Sequence, residues 1–412
     1  MSSSNSILIY AERLSIIPKV NVSCLLHTPA TSETKASISS NGQVLEVNHD
    51  GLKASIRLPG PVSSQQVNPA LRVGDKYLAW ALPLVTGLAW QFEQNVPWSA
   101  NDLQPESPIA CRQCQATVVD AGLIKVWKDL PSENWAEMME FWHCHKPDHA
   151  HANDESLASR AYGANSRISA QSGVGFVDLT SFLLSEADIS TSTITHALSS
   201  IELYKETGDP DEVPKSEQSN ALRAENSPVF CASCKNQLGV LNDQTSISLF
   251  KWRVHLDEKP QPVAKIIPSF SHCFSAMLIA TMTRSACANC VILPMKESGQ
   301  NVPQTAGTAS PPILNIRVFN SNIAFSSTQL AGPLLAVKVL YRIVSQTEAD
   351  NMLNSFTSDT QDITLPADAI SEVLNILERS NGLPPPCYRQ SDKWKYGLLE
   401  KWDEDGQWEM EN

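Results

Sequence analysis

The chain reads as an α+β protein, predominantly β, made of two β-rich lobes cross-linked by a four-cysteine structural zinc site, with a few short helices. Three observations lead there. Short alternating apolar runs recur between residues 20 and 344, and helical periodicity is confined to a few stretches. Two Cys-x-x-Cys pairs, Cys111/Cys114 and Cys231/Cys234, stand far apart in the sequence. At 412 residues the chain exceeds one ordinary core, and 42% hydrophobic with 18% charged residues is a globular rather than a disordered composition.

The first hundred residues predict strands. Residues 20–28 form one candidate, and residues 44–47 and 52–56 alternate around His49-Asp50-Gly51, a hairpin signal. Residues 77–84 make another strand, and the Ser/Thr/Lys/Ala stretch 30–40 reads as a loop. Beyond the first cysteine pair, residues 123–127 read as a strand. Ser132 then caps an amphipathic helix with Trp135, Met138, Met139 and Trp142 on one stripe, stopped at His143-Cys144-His145 by Pro147. Residues 149–167 and 207–227 read as linkers. Residues 246–256, 313–318, 323–326 and 335–344 read as strands, 269–283 and 368–378 as helices, the latter closed by Asn381-Gly382, and 298–312 as a Pro/Thr/Gly linker. The organisation expected is a β-rich region 1–108, a zinc-knuckle region 109–240, an α+β lobe 241–401 and an acidic tail 402–412.

A net charge of −13 argues against a direct nucleic-acid surface, and no charge-free apolar run is long enough to span a bilayer. The Cys-x-x-Cys usage and the interrupted residues 7–26, which do not read as a signal peptide, point to cytoplasm and nucleus.

Zinc requires four ligands in a tetrahedron, and each Cys-x-x-Cys turn supplies two thiolates. Cys111, Cys114, Cys231 and Cys234 are the expected set; a redox or unrelated buried thiol pair is the alternative, but neither pair has a thioredoxin-like setting. A third pair, Cys287/Cys290, either recruits His272 or Cys273 as further ligands or is two spare cysteines. The dense run His143-Cys144-His145 with His149 and His151 admits three readings: a local zinc site, a nucleophilic Cys144 activated by imidazoles, or an exposed His-rich loop.

These motifs together resemble the HECT-like ubiquitin ligases, the ubiquitin-conjugating-enzyme-binding proteins. The ordered series comprises Cys111-Arg112-Gln113-Cys114, Leu130-Pro131-Ser132-Glu133-Asn134-Trp135 leading to Trp142-His143-Cys144-His145, and Cys231-Ala232-Ser233-Cys234 with Leu238-Gly239. It continues through Ile266-Ile267-Pro268-Ser269 and Ala336-Val337-Lys338-Val339-Leu340-Tyr341 to Leu383-Pro384-Pro385, Arg389 and Trp394. The resemblance implies binding of a ubiquitin-conjugating enzyme and ubiquitin, with ubiquitination of itself and of substrates, cyclin among them. It also implies a link to the zinc-dependent endonuclease of pre-mRNA 3′-end cleavage, which a non-catalytic protein would inhibit or chaperone. In that role Trp135, Trp142, His143, Cys144 and His145 form the partner-binding segment and Cys144 enters the nuclease site. A ligase of HECT type needs a cysteine that accepts ubiquitin as a thioester. Cys387 has the C-terminal placement but no neighbouring His or Asp arrangement that marks it, and Cys273, in Ser271-His272-Cys273-Phe274, is closer to the local run but falls on the helix expected at 269–283, which reads as buried.

Overall fold

A computed structural model describes residues 6–63, 73–85, 96–105, 107–130, 169–190, 192–196, 226–243, 245–256, 267–295, 311–355 and 359–403. The chain divides into two compact units. The first combines Met1–Pro97 with Ser269–Met295 and Ala309–Asn412, and the described residues of the second fall within Trp98–Pro268.

The first unit begins with β1 (Leu8–Leu14), β2 (Lys19–Leu25), β3 (Lys35–Ile38), β4 (Val44–His49), β5 (Leu52–Arg57) and β6 (Tyr77–Pro83). Alternation dictates their faces: Val20, Val22 and Cys24 of β2 are buried while Lys19 and Asn21 are exposed, and Leu78, Trp80 and Leu82 of β6 follow the same period. β3 is a correction, since residues 30–40 read as a loop. Its Lys-Ala-Ser-Ile sequence has weak strand propensity and is held by pairing with β4, Ala36 opposite Val47. The hairpin between β4 and β5 forms where expected, with Asp50 and Gly51 both at positive φ, 48° and 77°.

The second unit contributes β7 (Ile109–Cys111), β8 (Thr117–Val119), β9 (Val126–Asp129), β10 (Val174–Val177), β11 (Ser181–Ser185), β12 (Ile194–His196), β13 (Ser227–Cys231), β14 (Gln237–Leu241), β15 (Ser246–Phe250) and β16 (Val254–Leu256). Seven of them form one sheet in the order β12-β13-β14-β15-β11-β10-β9, and β16-β7-β8 form another. The expected single strand 246–256 therefore breaks at residues 251–253 and serves both sheets. Between them lies a core of Trp98, Ile109, Phe182, Leu184, Val229, Leu238 and Leu249 that also takes in Cys111 and Cys231. Lys251 is fully buried there, donating to the Trp98 carbonyl at 3.1 Å, with its ammonium 5.7 Å from the Phe182 ring centre.

Back in the first unit come α1 (Phe270–Ser285), β17 (Asn289–Pro294), β18 (Ile313–Ser327), β19 (Leu334–Val344), α2 (Gln346–Leu353), β20 (Thr360–Leu365), α3 (Ala367–Asn381), β21 (Gln390–Ser391) and β22 (Trp394–Glu400). Nine strands make one sheet, ordered β21-β22-β19-β18-β1-β2-β6, with β17 and β20 branching from β18. The strands expected at 313–318 and 323–326 are one strand, β18. Its register against β19 shifts around Asn320, so that its first half pairs with β17 and its second half with β1. One face packs Ile9, Val22, Leu78 and Leu82 against Leu45 and Val47 from the β3–β5 sheet. α1 starts on a reciprocal cap: the Ser269 hydroxyl accepts from His272 N at 3.2 Å and His272 Nδ1 accepts from Ser269 N at 3.1 Å. α3 packs on β22 over Gly397, where a Cβ would lie 2.6 Å from Leu377 Cδ2.

The expected helix from Ser132 to His145 and the linker 149–167 lie outside the described residues, as does nearly all of 207–227, 298–312 and the acidic tail.

Candidate metal centre

Two hairpins, β7–β8 and β13–β14, carry the cysteine pairs, and their backbones match bond for bond. Cys111 N donates to Ala116 O at 2.8 Å and Gln115 N to Cys111 O at 2.8 Å. Cys231 N likewise donates to Asn236 O at 2.9 Å, and Lys235 N to Cys231 O at 2.9 Å. The residue after each second cysteine is left-handed, Gln115 at φ 64° and Lys235 at φ 62°. Both hairpins also shift register at the two residues before the first cysteine, Ile109/Ala110 and Val229/Phe230. A left-handed residue lets the chain reverse tightly enough to turn two thiols and the surrounding N–H groups inward.

The result is a compact set of four sulfurs. Cys111 Sγ lies 3.7 Å from Cys234 Sγ and Cys114 Sγ 3.6 Å from Cys231 Sγ, and all four lie within 4.8 Å of one another. Sulfurs about 2.3 Å from a common tetrahedral centre would stand about 3.8 Å apart. A disulfide would need about 2.05 Å, and all four thiols are free. The donor set and its spacing thus fit a tetrahedral thiophilic ion, with no coordination position left open. All four cysteines belong to the second unit, so the cluster joins two distant segments of one unit rather than linking two lobes.

Burial and backbone N–H groups pull the thiols in opposite directions. Burial pushes the Cys111 thiol up to about 12, against the opposing N–H groups of Cys114 and Gln113. The Ala116 N–H draws Cys114 down to about 7, and Cys234 is raised, chiefly by burial, with the Asn236 N–H opposing. N–H groups aimed at sulfur favour the thiolate, the form a metal binds.

The remaining candidates separate clearly. Cys273 is fully buried in α1, whereas Cys387 is exposed on the turn Pro386–Tyr388. That turn is held by Arg389, whose Nε donates to Pro384 O and Nη2 to Gly382 O, both at 2.8 Å. Pro384 and Tyr388 line a cavity of about 500 Å³ with Trp80, Tyr396 and a partly buried ion pair, Glu12 with Lys338 at 2.7 Å. Cys287 and Cys290 are buried, and among the described residues they gather no third ligand: Cys287 donates to the Asp359 carbonyl, and His272 Nδ1 is occupied by the helix cap. Trp135, Trp142, His143, Cys144 and His145 lie outside the described residues. The matched knuckle backbones and the cavity went unread in the sequence; the paired residues Gln115 and Lys235, each directly after a second cysteine, were the available signal for the former.

Fold and cluster define a β-rich protein built around a four-cysteine, metal-type knuckle pair. The chain belongs to the HECT-like ubiquitin-conjugating-enzyme (E2)-binding family, whose model matches residues 12–396. Among similar proteins, the Schizosaccharomyces pombe uncharacterized protein C1734.10c is 25% identical over 370 residues, covering 84% of this chain and 90% of its own length. The Saccharomyces cerevisiae uncharacterized protein YJR141W is 40% identical over 53 residues, 12% of this chain and 15% of its own. No solved structure matches.

Proposed function

We propose that this chain docks a charged ubiquitin-conjugating enzyme and promotes transfer of its ubiquitin, with zinc in the four-cysteine cluster holding the second unit in shape. Membership of the E2-binding family across residues 12–396 is the observation that carries this reading. Cys387 is the acceptor that accessibility favours, because a fully buried Cys273 would require α1 to open first. In the covalent version Cys387 loses its proton to solvent and its thiolate attacks the carbonyl carbon of the enzyme–ubiquitin thioester. The conjugating enzyme's cysteine leaves as a thiolate. A substrate lysine amine then attacks the new thioester, forming an amide and returning the Cys387 thiolate. Cys111, Cys114, Cys231 and Cys234 would fill the coordination sphere of a zinc ion, leaving no position for it to act in this chemistry.

The test is reconstitution with charged conjugating enzyme, read on non-reducing gels and by binding. A thiol-sensitive ubiquitin adduct that disappears in Cys387→Ala is expected. Binding and transfer that persist without an adduct would replace the covalent step with docking alone. Loss of both binding and transfer in the intact chain would overturn the reading.

A further inference from the structure

We infer that His27, His49 and Asp50 form a second metal site, for a divalent transition ion of the zinc class, separate from the four cysteines. All three residues belong to the first unit, and one ligand atom from each lies within 4.8 Å of the others. His49 ends β4 on its core-facing register, and Asp50 opens the following turn in the left-handed conformation. His27 follows the end of β2 by two residues.

The distances suit a shared ion. His49 Nε2 is 3.3 Å from Asp50 Oδ2, and His27 Nε2 is 3.8 Å from the same oxygen. Two donors about 2.0–2.1 Å from a tetrahedral centre would stand about 3.4 Å apart. The His49 ring is already oriented as a ligand would be. It is buried, and its Nδ1 bonds the Thr34 hydroxyl at 2.9 Å, a hydroxyl itself held by Thr31 N at 2.9 Å. A bond at the far nitrogen holds the rotation of a metal-bound imidazole in the usual way. Because the Thr28 hydroxyl donates its one proton to Asp50, His49 Nε2 donates to Thr28 without an ion, and binding one moves that proton to Nδ1, which then donates to Thr34. The Thr28 hydroxyl now bridges the other side, 2.8 Å from His49 Nε2 and 2.5 Å from Asp50 Oδ2, the two atoms an ion would join. One χ1 rotation of Thr28 frees that position or offers its oxygen as a further ligand. His27 packs edge-on against His49 at 4.9 Å, and among the described residues its buried Nδ1 has no hydrogen-bond partner.

Two imidazoles and one carboxylate select a borderline ion over magnesium or calcium, and three protein ligands leave a position for solvent or a partner's group. Asp50 is half-exposed, which opens that position outward.

Cobalt titration of the full chain distinguishes the two centres. Bound by thiolates, Co²⁺ shows an intense sulfur-to-metal charge-transfer band, whereas a nitrogen–oxygen site shows only weaker visible bands. The expected result is that His27→Gln and Asp50→Asn each lose one cobalt equivalent relative to the parent, with the charge-transfer band unchanged. Circular dichroism checks that both variants remain folded, and His27→Gln alters a ring whose Nδ1 makes no hydrogen bond among the described residues. The same cobalt stoichiometry in the parent and both folded variants would overturn the site.

Discussion

A thiol taken out of water resists ionisation because the thiolate loses its hydration. Cys24 on β2 is such a group, pushed up to about 12 by burial. Its folded-state value is raised above that of the unfolded chain, so the stability it contributes is fully present below pH about 9 and is lost as pH rises toward 12. Cys24→Val keeps the buried position apolar and removes the titration. Denaturant unfolding at pH 8 and pH 10.5 is therefore expected to show the parent losing about 1–2 kcal/mol more than Cys24→Val between the two values. Equal losses would mean that Cys24 reaches solvent in the native state. In the knuckles burial raises Cys111 just as far, but backbone N–H groups turned on the sulfurs oppose it, and at Cys114 they win.

At the scale of elements, close approach decides what each position tolerates. Gly397 lets α3 settle on β22, since a Cβ there would meet Leu377 Cδ2 at 2.6 Å and Tyr341 Cδ1 at 3.3 Å. Gly397→Ala is expected to destabilise by about 1–3 kcal/mol in equilibrium unfolding, and to cost less in a Leu377→Ala background, where the nearest obstructing atom, Cδ2, is gone. Additive effects would show that the helix, not the side chain, is displaced. The same scale explains what the sequence made legible. The hairpin at Asp50-Gly51, the strands β2 and β6 and the helix α1 are local signals, written in residues close to one another. β3 and the fused β18 are not local: one is imposed by a partner strand, the other by two neighbours that divide its length. The cysteine pairs were readable because each knuckle is a short motif, but their meeting within one unit is tertiary. His49 and Asp50 read only as a turn, because nothing in the sequence places His27 beside them.

For the molecule as a whole, the second unit is inserted in sequence between two parts of the first, after Pro97 and before Ser269. A metal held only within the insert should stabilise the insert selectively. Removal by a strong chelator is expected to lower its unfolding temperature by about 10 °C or more, on the loss of several kcal/mol. Hydrogen exchange should accelerate in β7, β8, β13 and β14 and stay slow in β1 and β18. Exchange unchanged in the knuckle hairpins would mean that the four cysteines hold no ion that matters to folding.

The pairing of β1 with β18 also sets a schedule for a growing chain. Ile9 N bonds Thr328 Oγ1, a partner 319 positions later. At about 5–20 residues per second, translation would take roughly 16–64 s to deliver it. Throughout that interval β1 can pair with β2 on one edge, while its other edge presents open N–H and C=O groups. The inserted unit is fully synthesised before β18 appears. A nascent chain stalled after the insert should therefore bind holdase chaperones through its first strands, long after the knuckles have closed.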